Sequence, residues 1–594
     1  MDIGLSGYQW VLLSHTNPAP EELKERFGEV FAQVLYNRKD LFDKDFSEDY
    51  IVPQLRNLIN PSYFYSLEEV AIKLVDFIKK QKRIVIYGDY DADGITSTAL
   101  LVNFFRDIKV PVKYYIPSRF TEGYGLNKEA IKSISDTADV LIVVDSGTNA
   151  IEELLYAKSL GLEVFVLDHH EPSDFWIDKN PLSFDSNIHI VNPKFYDNQK
   201  INPLFKHLAT VGIVFYLISL IRRFLNIEDI KLRNYLDIVA IGTVADVVPM
   251  SFINRVMVKT GLEEINKNHR IGITKLRESA SLERNISPQD IAFMIAPRIN
   301  AAGRLADARK SVKLLTTKDE TSATVLANEL ENLNRKRQKI TDKVINEAES
   351  ELEKYPFENA IVLGKENWHS GVIGIVAGKL VEKYKIPAVI LSIENGIAVG
   401  SARSVAKINI YQALNNCKDL FLKFGGHSAA AGFSTKSDKI HELRYRLNRS
   451  VEEVAEEKPW AVKEIDMEVP LSYWDKGKVL QLYQLAPFGE KNPYPKFIDR
   501  NLRADYFSVY GKNLVILDLR DKNKKVFTVK CWKGKDIVNQ LSVGSIIDIV
   551  YTPEISNYKG IESIEFIIDD IKIVKWMVCL LYTSPSPRDR TRYR

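Results

Sequence analysis

Along the first third of the chain, short apolar runs alternate with amphipathic stretches. Ile84-Val85-Ile86-Tyr87, Leu141-Ile142-Val143-Val144 and Val164-Phe165-Val166-Leu167 are unbroken and rich in β-branched and aromatic residues, as expected of strands in a sheet covered on both faces. With the stretches between them they predict strand 83–88, helix 95–107, strand 110–116, helix 127–135, strand 140–145, helix 150–159 and strand 163–168. That alternation builds a parallel sheet. Upstream, Ser66 to Ile78 predicts a helix opened by a capping box, Ser66 with Glu69. Glu171 to Asn202 is loop-like, and residues 208–350 are mostly helical. The longest helical pattern, about Glu320 to Tyr355, carries Leu326, Leu330, Leu333, Ile340, Val344 and Ala348 with the basic patch Asn334-Arg335-Lys336-Arg337. It is expected to connect two domains. Strand patterns return at Ala360–Leu363 and Pro387–Leu391, marking a second α/β domain, and from 465 to 575 short strands with turn signals predict a small β-barrel.

These patterns divide the chain into a leader region 1–60, a parallel-sheet domain 61–319, a connecting helix 320–355, a second α/β domain 356–455, a barrel domain 456–575 and a tail 576–594. The tail ends in a Ser/Pro/Arg-rich stretch without apolar periodicity; it is expected to be disordered or non-native, and no function is assigned to it. A length of 594 residues agrees with several cores.

The formal net charge of +3, from 81 basic and 78 acidic side chains, excludes a global field for nucleic acid. Any basic site must be local. Cys417, Cys531 and Cys579 form no CxxC pair, which argues against thiolate zinc and fits a reducing cytoplasm. The longest apolar runs, near Val211–Ile221 and Ile571–Leu581, are too short to span a bilayer. A soluble, cytoplasmic monomer without membrane attachment is expected.

Three of the predicted strands, 83–88, 140–145 and 163–168, deliver polar residues at their carboxyl ends, where open α/β sheets place ligands. After the first come Asp89-Tyr90-Asp91-Ala92-Asp93-Gly94, with Gly88 and Gly94 read as turn residues; after the others come Asp145-Ser146-Gly147 and Asp168-His169-His170. Asp246, in Ala245-Asp246-Val247-Val248-Pro249, is a fourth candidate or a helix cap. Neighbouring carboxylates with imidazole suit Mn²⁺ or Mg²⁺. Two such ions serve phosphodiester hydrolysis.

This set of four motifs resembles the DHH phosphoesterase superfamily, and Phe424-Gly425-Gly426-His427-Ser428-Ala429-Ala430-Ala431-Gly432 resembles the glycine-histidine motif of its DHHA1 domain. The motif order and the closing β-region are similar to the superfamily's single-strand-specific 5′→3′ DNA exonucleases. The resemblance implies an α/β fold with a parallel-sheet DHH domain (61–319), a DHHA1 domain (356–455) and a C-terminal OB-like barrel (456–575). It implies that Asp91, Asp93, Asp145, His169 and Asp246 ligate two ions, with Asp89 as a further ligand. Asp145, His169 and His170 would be catalytic, His170 lying beside the water or the scissile phosphate. Motif I has no leading histidine, so the acid completing the second site stays open.

The same resemblance places Arg119 and Arg304 near a terminal 5′-phosphate, and Ser401, Arg403 and His427 along the strand. Arg298, flanking Asn300-Ala301-Ala302-Gly303 with Arg304, is a further phosphate candidate. Trp368, opening Trp368-His369-Ser370-Gly371, is either near substrate or core. Tyr506, Phe507, Tyr510 and Trp532, near Lys512, Lys524 and Lys530, suit single-strand tracking, with half or more of the aromatics expected in the barrel core. The implied role is repair and recombination on single-stranded DNA, alongside a helicase and a single-strand-binding protein. The chain carries no Gly-x-x-x-x-Gly-Lys-Ser/Thr loop of its own. An oligoribonuclease or cyclic-dinucleotide phosphodiesterase, and an inactive single-strand-binding replication scaffold, stay open as alternatives.

Overall fold

The unbroken apolar runs form strands, and both faces of each strand are covered. The computed structural model describes residues 2–575 apart from 42–50, 120, 121, 123, 124, 177, 178, 180, 182, 183, 199–202, 356, 456–459, 512, 533, 535–539, 559 and 560. The tail 576–594 and Lys512 thus lie outside the described residues. The chain divides into two units: Arg38–Glu456 with Tyr483–Tyr494, and Met1–Asn37 with Glu457–Leu482 and Pro495–Arg594.

After β1 (Gln9–Leu12), which belongs to the second unit, come β2 (Ile84–Gly88), β3 (Val112–Tyr115), β4 (Val140–Val144), β5 (Glu163–Leu167) and β6 (Ile188–Val191). The last five form a wholly parallel sheet in the order β3-β2-β4-β5-β6. Alternation decides which core each side chain enters. Ile84, Ile86, Val140, Ile142, Val144, Phe165 and Leu167 join one cluster, while Val85, Tyr87, Leu141, Val143, Val164 and Val166 join another on the opposite face. The strand order reverses direction between β2 and β4, opening a crevice at their carboxyl ends.

Three local expectations are corrected. Ser66 lies inside the helix Tyr65–Lys79, its hydroxyl buried without a hydrogen-bond partner, because a turn at Pro61–Tyr63, capped by Asn60, starts the chain's descent earlier. Gly94 is not a turn residue but sits in the first turn of the helix Ala92–Asp107, where a Cβ would stand 2.6 Å from the Asp89 backbone. The stretch from Glu171 to Asn202 is not all loop, since it contains β6.

The connecting helix runs from Glu320 to Leu352. Beyond it β7 (Ile361–Glu366), β8 (Ala388–Glu394), β9 (Ile397–Arg403), β10 (Phe421–His427) and β11 (Ala430–Lys436) form a sheet in the order β10-β11-β9-β8-β7, parallel only between β7 and β8.

In the second unit β1 pairs in parallel with β12 (Val462–Ile465), and β13 (Met467–Glu468) joins the edge of β14 (Phe497–Tyr510). β14, β15 (Leu514–Arg520), β16 (Val526–Cys531), β18 (Ile561–Lys575) and β17 (Ile546–Tyr558) close on themselves through β14–β17, with β16 and β18 parallel. That is the strand path of a five-stranded OB barrel. Asp570, fully buried on β18, accepts hydrogen bonds from Trp10 Nε1 at 2.9 Å and Ser6 N at 3.1 Å, tying the chain's start to its last strand.

Candidate metal centre

The acids of the first motif are held by helix geometry. Asp91 is the N-cap of Ala92–Asp107, accepting from Asp93 N at 3.0 Å and Gly94 N at 3.3 Å. Asp93, one residue into that helix, accepts from Thr210 N at 2.7 Å and Val211 N at 2.9 Å. Those amides open the helix Thr210–Phe224, so its positive end faces a carboxylate. Thr210 Oγ1 also donates to Asp145 Oδ1 at 3.2 Å. The sequence signal for Thr210 was faint: a polar residue opening a long apolar helix.

Asp145 follows β4 in the left-handed region, at φ +62°, with its amide donating to Leu167 O. Asp246 closes the helix Leu236–Ala245, and the next residue, Val247, has φ +58° although it is β-branched. Both are backbone conformations that the surroundings must enforce, and such residues collect at functional sites. Asp246 is therefore a helix end and a site residue at once.

His169 Nε2 stands 3.3 Å from Asp246 Oδ2, 3.6 Å from Asp145 Oδ1 and 3.8 Å from Asp93 Oδ2. Donor atoms of Asp93, His169 and Asp246 lie within 4.8 Å of one another, as do those of Asp89, Asp91 and Asp145, and those of Asp145, His169 and His170. The sequence-derived ligand set thus converges as adjoining donor groups, with Asp145 beside both halves. The residues fit hard divalent ions. Asp89 Oδ1 and Asp246 Oδ2 are buried without a hydrogen-bond partner. Burial and neighbouring carboxylates hold Asp89, Asp145 and Asp246 well above the ordinary carboxylate range, and burial pushes Asp93 up to about 7. Such a cluster demands positive charge. Burial and the adjacent His170 push His169 down to about 3, keeping its imidazole in the neutral, ligating form.

Asp168 is a scaffold acid. It accepts from Thr148 N, His169 N and His170 N, and at 2.7 Å from His170 Nδ1. Although buried, it is held below the usual range, chiefly by the His170 bond. Burial opposes charge on His170, but Asp168 prevails and pushes it up to about 9. In the metal-free chain Asp168 thus favours the imidazolium form of His170 beside the donor atoms.

The arginines gather on one flank. Arg119 lies over the Tyr90 ring, 5.5 Å from its centroid, and its charge acts on Asp89, Arg304 and Arg403. Phe120, Thr121, Gly123 and Tyr124 of its loop lie outside the described residues. Arg304, pushed down to about 10 by burial and then by Arg119, donates to Gly371 O at 3.1 Å. On the second sheet Arg403 opposes Ala430, which opposes His427, and Ser401 opposes Gly432 in the next row. Ser401, Arg403 and His427 therefore share one face. The His427 pKa is drawn down by partial desolvation and by Lys194 and His170.

Arg298 does not join them. Its guanidinium is buried, donating to Met294 O at 2.6 Å and pairing with Glu331 at 2.7 Å across the connecting helix. Trp368 is core, 3% exposed, with Nε1 bonded to Glu347. The expectation that half the barrel aromatics are core is overturned: Tyr506 and Tyr510 on β14 and Trp532 just past β16 are more than half exposed, and Phe507, which stands opposite the buried Leu517, is partly exposed.

Sequence models of three families match this chain: the DHH family N-terminal domain over residues 83–243, the DHHA1 domain over 357–453 and the RecJ OB domain over 465–570. The single-stranded-DNA-specific exonuclease RecJ of Bacillus subtilis is 34% identical over 87% of this chain, which spans 65% of that protein. The enzyme of that name from Salmonella typhimurium is 32% identical over 84% of this chain and 89% of its own. The crystal structure of RecJ in complex with Mn²⁺ from Thermus thermophilus superposes with a TM-score of 0.77 at 27% identity, covering 95% of this chain and 79% of that one. With its three matched domains in the same order and its strand-end acids assembled into one centre, the chain belongs to the RecJ family.

Proposed function

We propose that this chain is a metal-dependent exonuclease that hydrolyses single-stranded DNA from its 5′ end. The observation that carries the reading is one sheet rim bearing two adjoining sets of hard donors beside a cluster of arginines. Asp93, His169, Asp246 and Asp145 would hold one Mn²⁺ or Mg²⁺, and Asp89, Asp91 and Asp145 the other. Bound there, the ions supply an acidified water and charge compensation for the attacking and leaving oxygens.

The chain's own groups do the rest. His170, kept protonated by Asp168, directs a charged N–H toward the scissile phosphate. Arg119 and Arg304 hold the terminal 5′-phosphate, and Ser401, Arg403 and His427 hold the backbone from the second sheet. Tyr506, Phe507, Tyr510 and Trp532 offer faces on which bases stack, with Lys524 and Lys530 beside them in sequence. Because such a site needs an unpaired strand, a helicase and a single-strand-binding protein are the expected partners, in DNA repair and recombination.

The test uses purified chain with Mn²⁺ and 5′- or 3′-labelled single-stranded DNA, RNA and duplex DNA. Mononucleotides should leave the 5′ end of single-stranded DNA alone. Release from the 3′ end, or from RNA only, would refute the proposal.

A further inference from the structure

Lys194 belongs to none of the motifs that built the metal centre, yet the fold carries it there. β6 is followed by Asn192, a fully buried side chain that donates to Thr148 Oγ1 at 3.0 Å and to the His170 carbonyl at 2.7 Å. Asn192 Oδ1 then accepts the Lys194 amide at 2.9 Å. The turn bearing Lys194 is thereby pinned to the loops that present Asp145 and His170. Its ammonium meets Glu171, the residue after His170, at 2.8 Å. That pair is partly open, with side-chain exposures of 26% and 59%, and a solvated pair contributes little to stability. A structural role alone gives no reason for holding a lysine here.

The placement of charge supplies one. Lys194 acts electrostatically on Asp246, His169 and His427. Arg119 acts on Asp89 and Tyr90, and Arg304 on Tyr90. The acids therefore lie between two flanks: the cationic arginines beside the Asp89–Asp91 end, and the cationic Lys194, with the polar His427, beside the Asp246–His169 end. A strand laid with its terminal phosphate among the arginines and its scissile phosphate over the acids carries the phosphate after that toward the opposite flank.

We infer that Lys194 is a strand-holding residue, its ammonium contacting the phosphate on the 3′ side of the scissile bond. The inference rests on the exonuclease reading above. Glu171 keeps the ammonium aimed at the groove between turnovers and yields it to the phosphate, a stronger partner in a less solvated place.

The test compares wild type with Lys194→Ala and Lys194→Arg in Mn²⁺, reading first-nucleotide release from 5′-phosphorylated single-stranded DNA. One substrate is unmodified, and the other carries a neutral methylphosphonate at the second internucleotide linkage. Lys194→Ala should raise KM about tenfold with kcat nearly unchanged, and Lys194→Arg should restore most of it. The methylphosphonate should raise the wild-type KM by a similar factor but change the Lys194→Ala value by less than about twofold, because both changes delete one contact. Independent, multiplying effects would overturn the inference, as would a loss confined to kcat or no effect of the substitution. A wild-type chain inert on both substrates would overturn the exonuclease reading itself, and the inference with it.

Discussion

Asp145→Asn should stabilise the metal-free chain while removing its response to metal. Asparagine tolerates the left-handed backbone at φ +62° and keeps an acceptor for Thr210 Oγ1, so shape and hydrogen bond survive and only charge is lost. At the 4.8 Å limit separating the Asp89, Asp91 and Asp145 donor oxygens, one like-charge pair at an effective dielectric of about 20 costs about 3.5 kcal/mol. Protons taken up by the cluster relieve part of that, leaving on the order of 1–2 kcal/mol to be recovered. For the unit Arg38–Glu456 with Tyr483–Tyr494 the gain is about 1–2 °C in Tm. Wild type should gain about 3 kcal/mol from Mn²⁺ at a hundredfold excess over its Kd, and the variant should lose most of that gain together with cleavage. Thermal melts in EDTA and in Mn²⁺ would show the two proteins exchanging rank. A variant that melts at or below wild type in EDTA, or keeps the full Mn²⁺ shift, would refute the shared-acid geometry.

In the metal-free chain the His170 ring should titrate near pH 9 rather than at its ordinary 6.5. The stability it contributes is therefore present below about 6.5 and lost as pH rises through about 9. Asp168→Asn should return the ring toward 6.5, measurable by NMR titration in EDTA. Arg298→Met should cost about 1–2 kcal/mol of stability by leaving the largely buried Glu331 with Arg335 as its remaining partner, with the KM for DNA changed less than about threefold; Arg304→Gln should do the reverse, raising KM about tenfold. Melting curves and steady-state kinetics on the pair distinguish an inward arginine from one that meets substrate.

The three motif strands were legible because each is fully buried, which demands an unbroken apolar run, and each ends in residues that an apolar run cannot contain. β6 obeys the same rule, with Asn192 after Ile188–Val191, but its four residues are set among Pro, Asp and Asn and alternate with His189, so the loop-like composition outweighed them. Thr210 was missed because its backbone amide, rather than its type, does much of its work. Arg298 and Arg304 are six residues apart on one helix, and no periodicity reveals that one meets Glu331 and the other Gly371. The exposure of Tyr506, Tyr510 and Trp532 depended on barrel register, which sequence alternation alone leaves ambiguous by one residue.

The bond between Trp10 and Asp570 also sets a clock. Its partners are 560 residues apart, so at ribosomal rates of roughly 5–20 residues per second the first strand waits about 30–110 s for the carboxylate that receives it. Through most of that interval Trp10 and its neighbours are apolar surface without a home. A chain interrupted before β12 would leave them exposed, because the apolar side chains that cover Trp10, namely Ile465, Ile498 and Val550, lie on β12, β14 and β17, and the carboxylate on β18 completes the junction last.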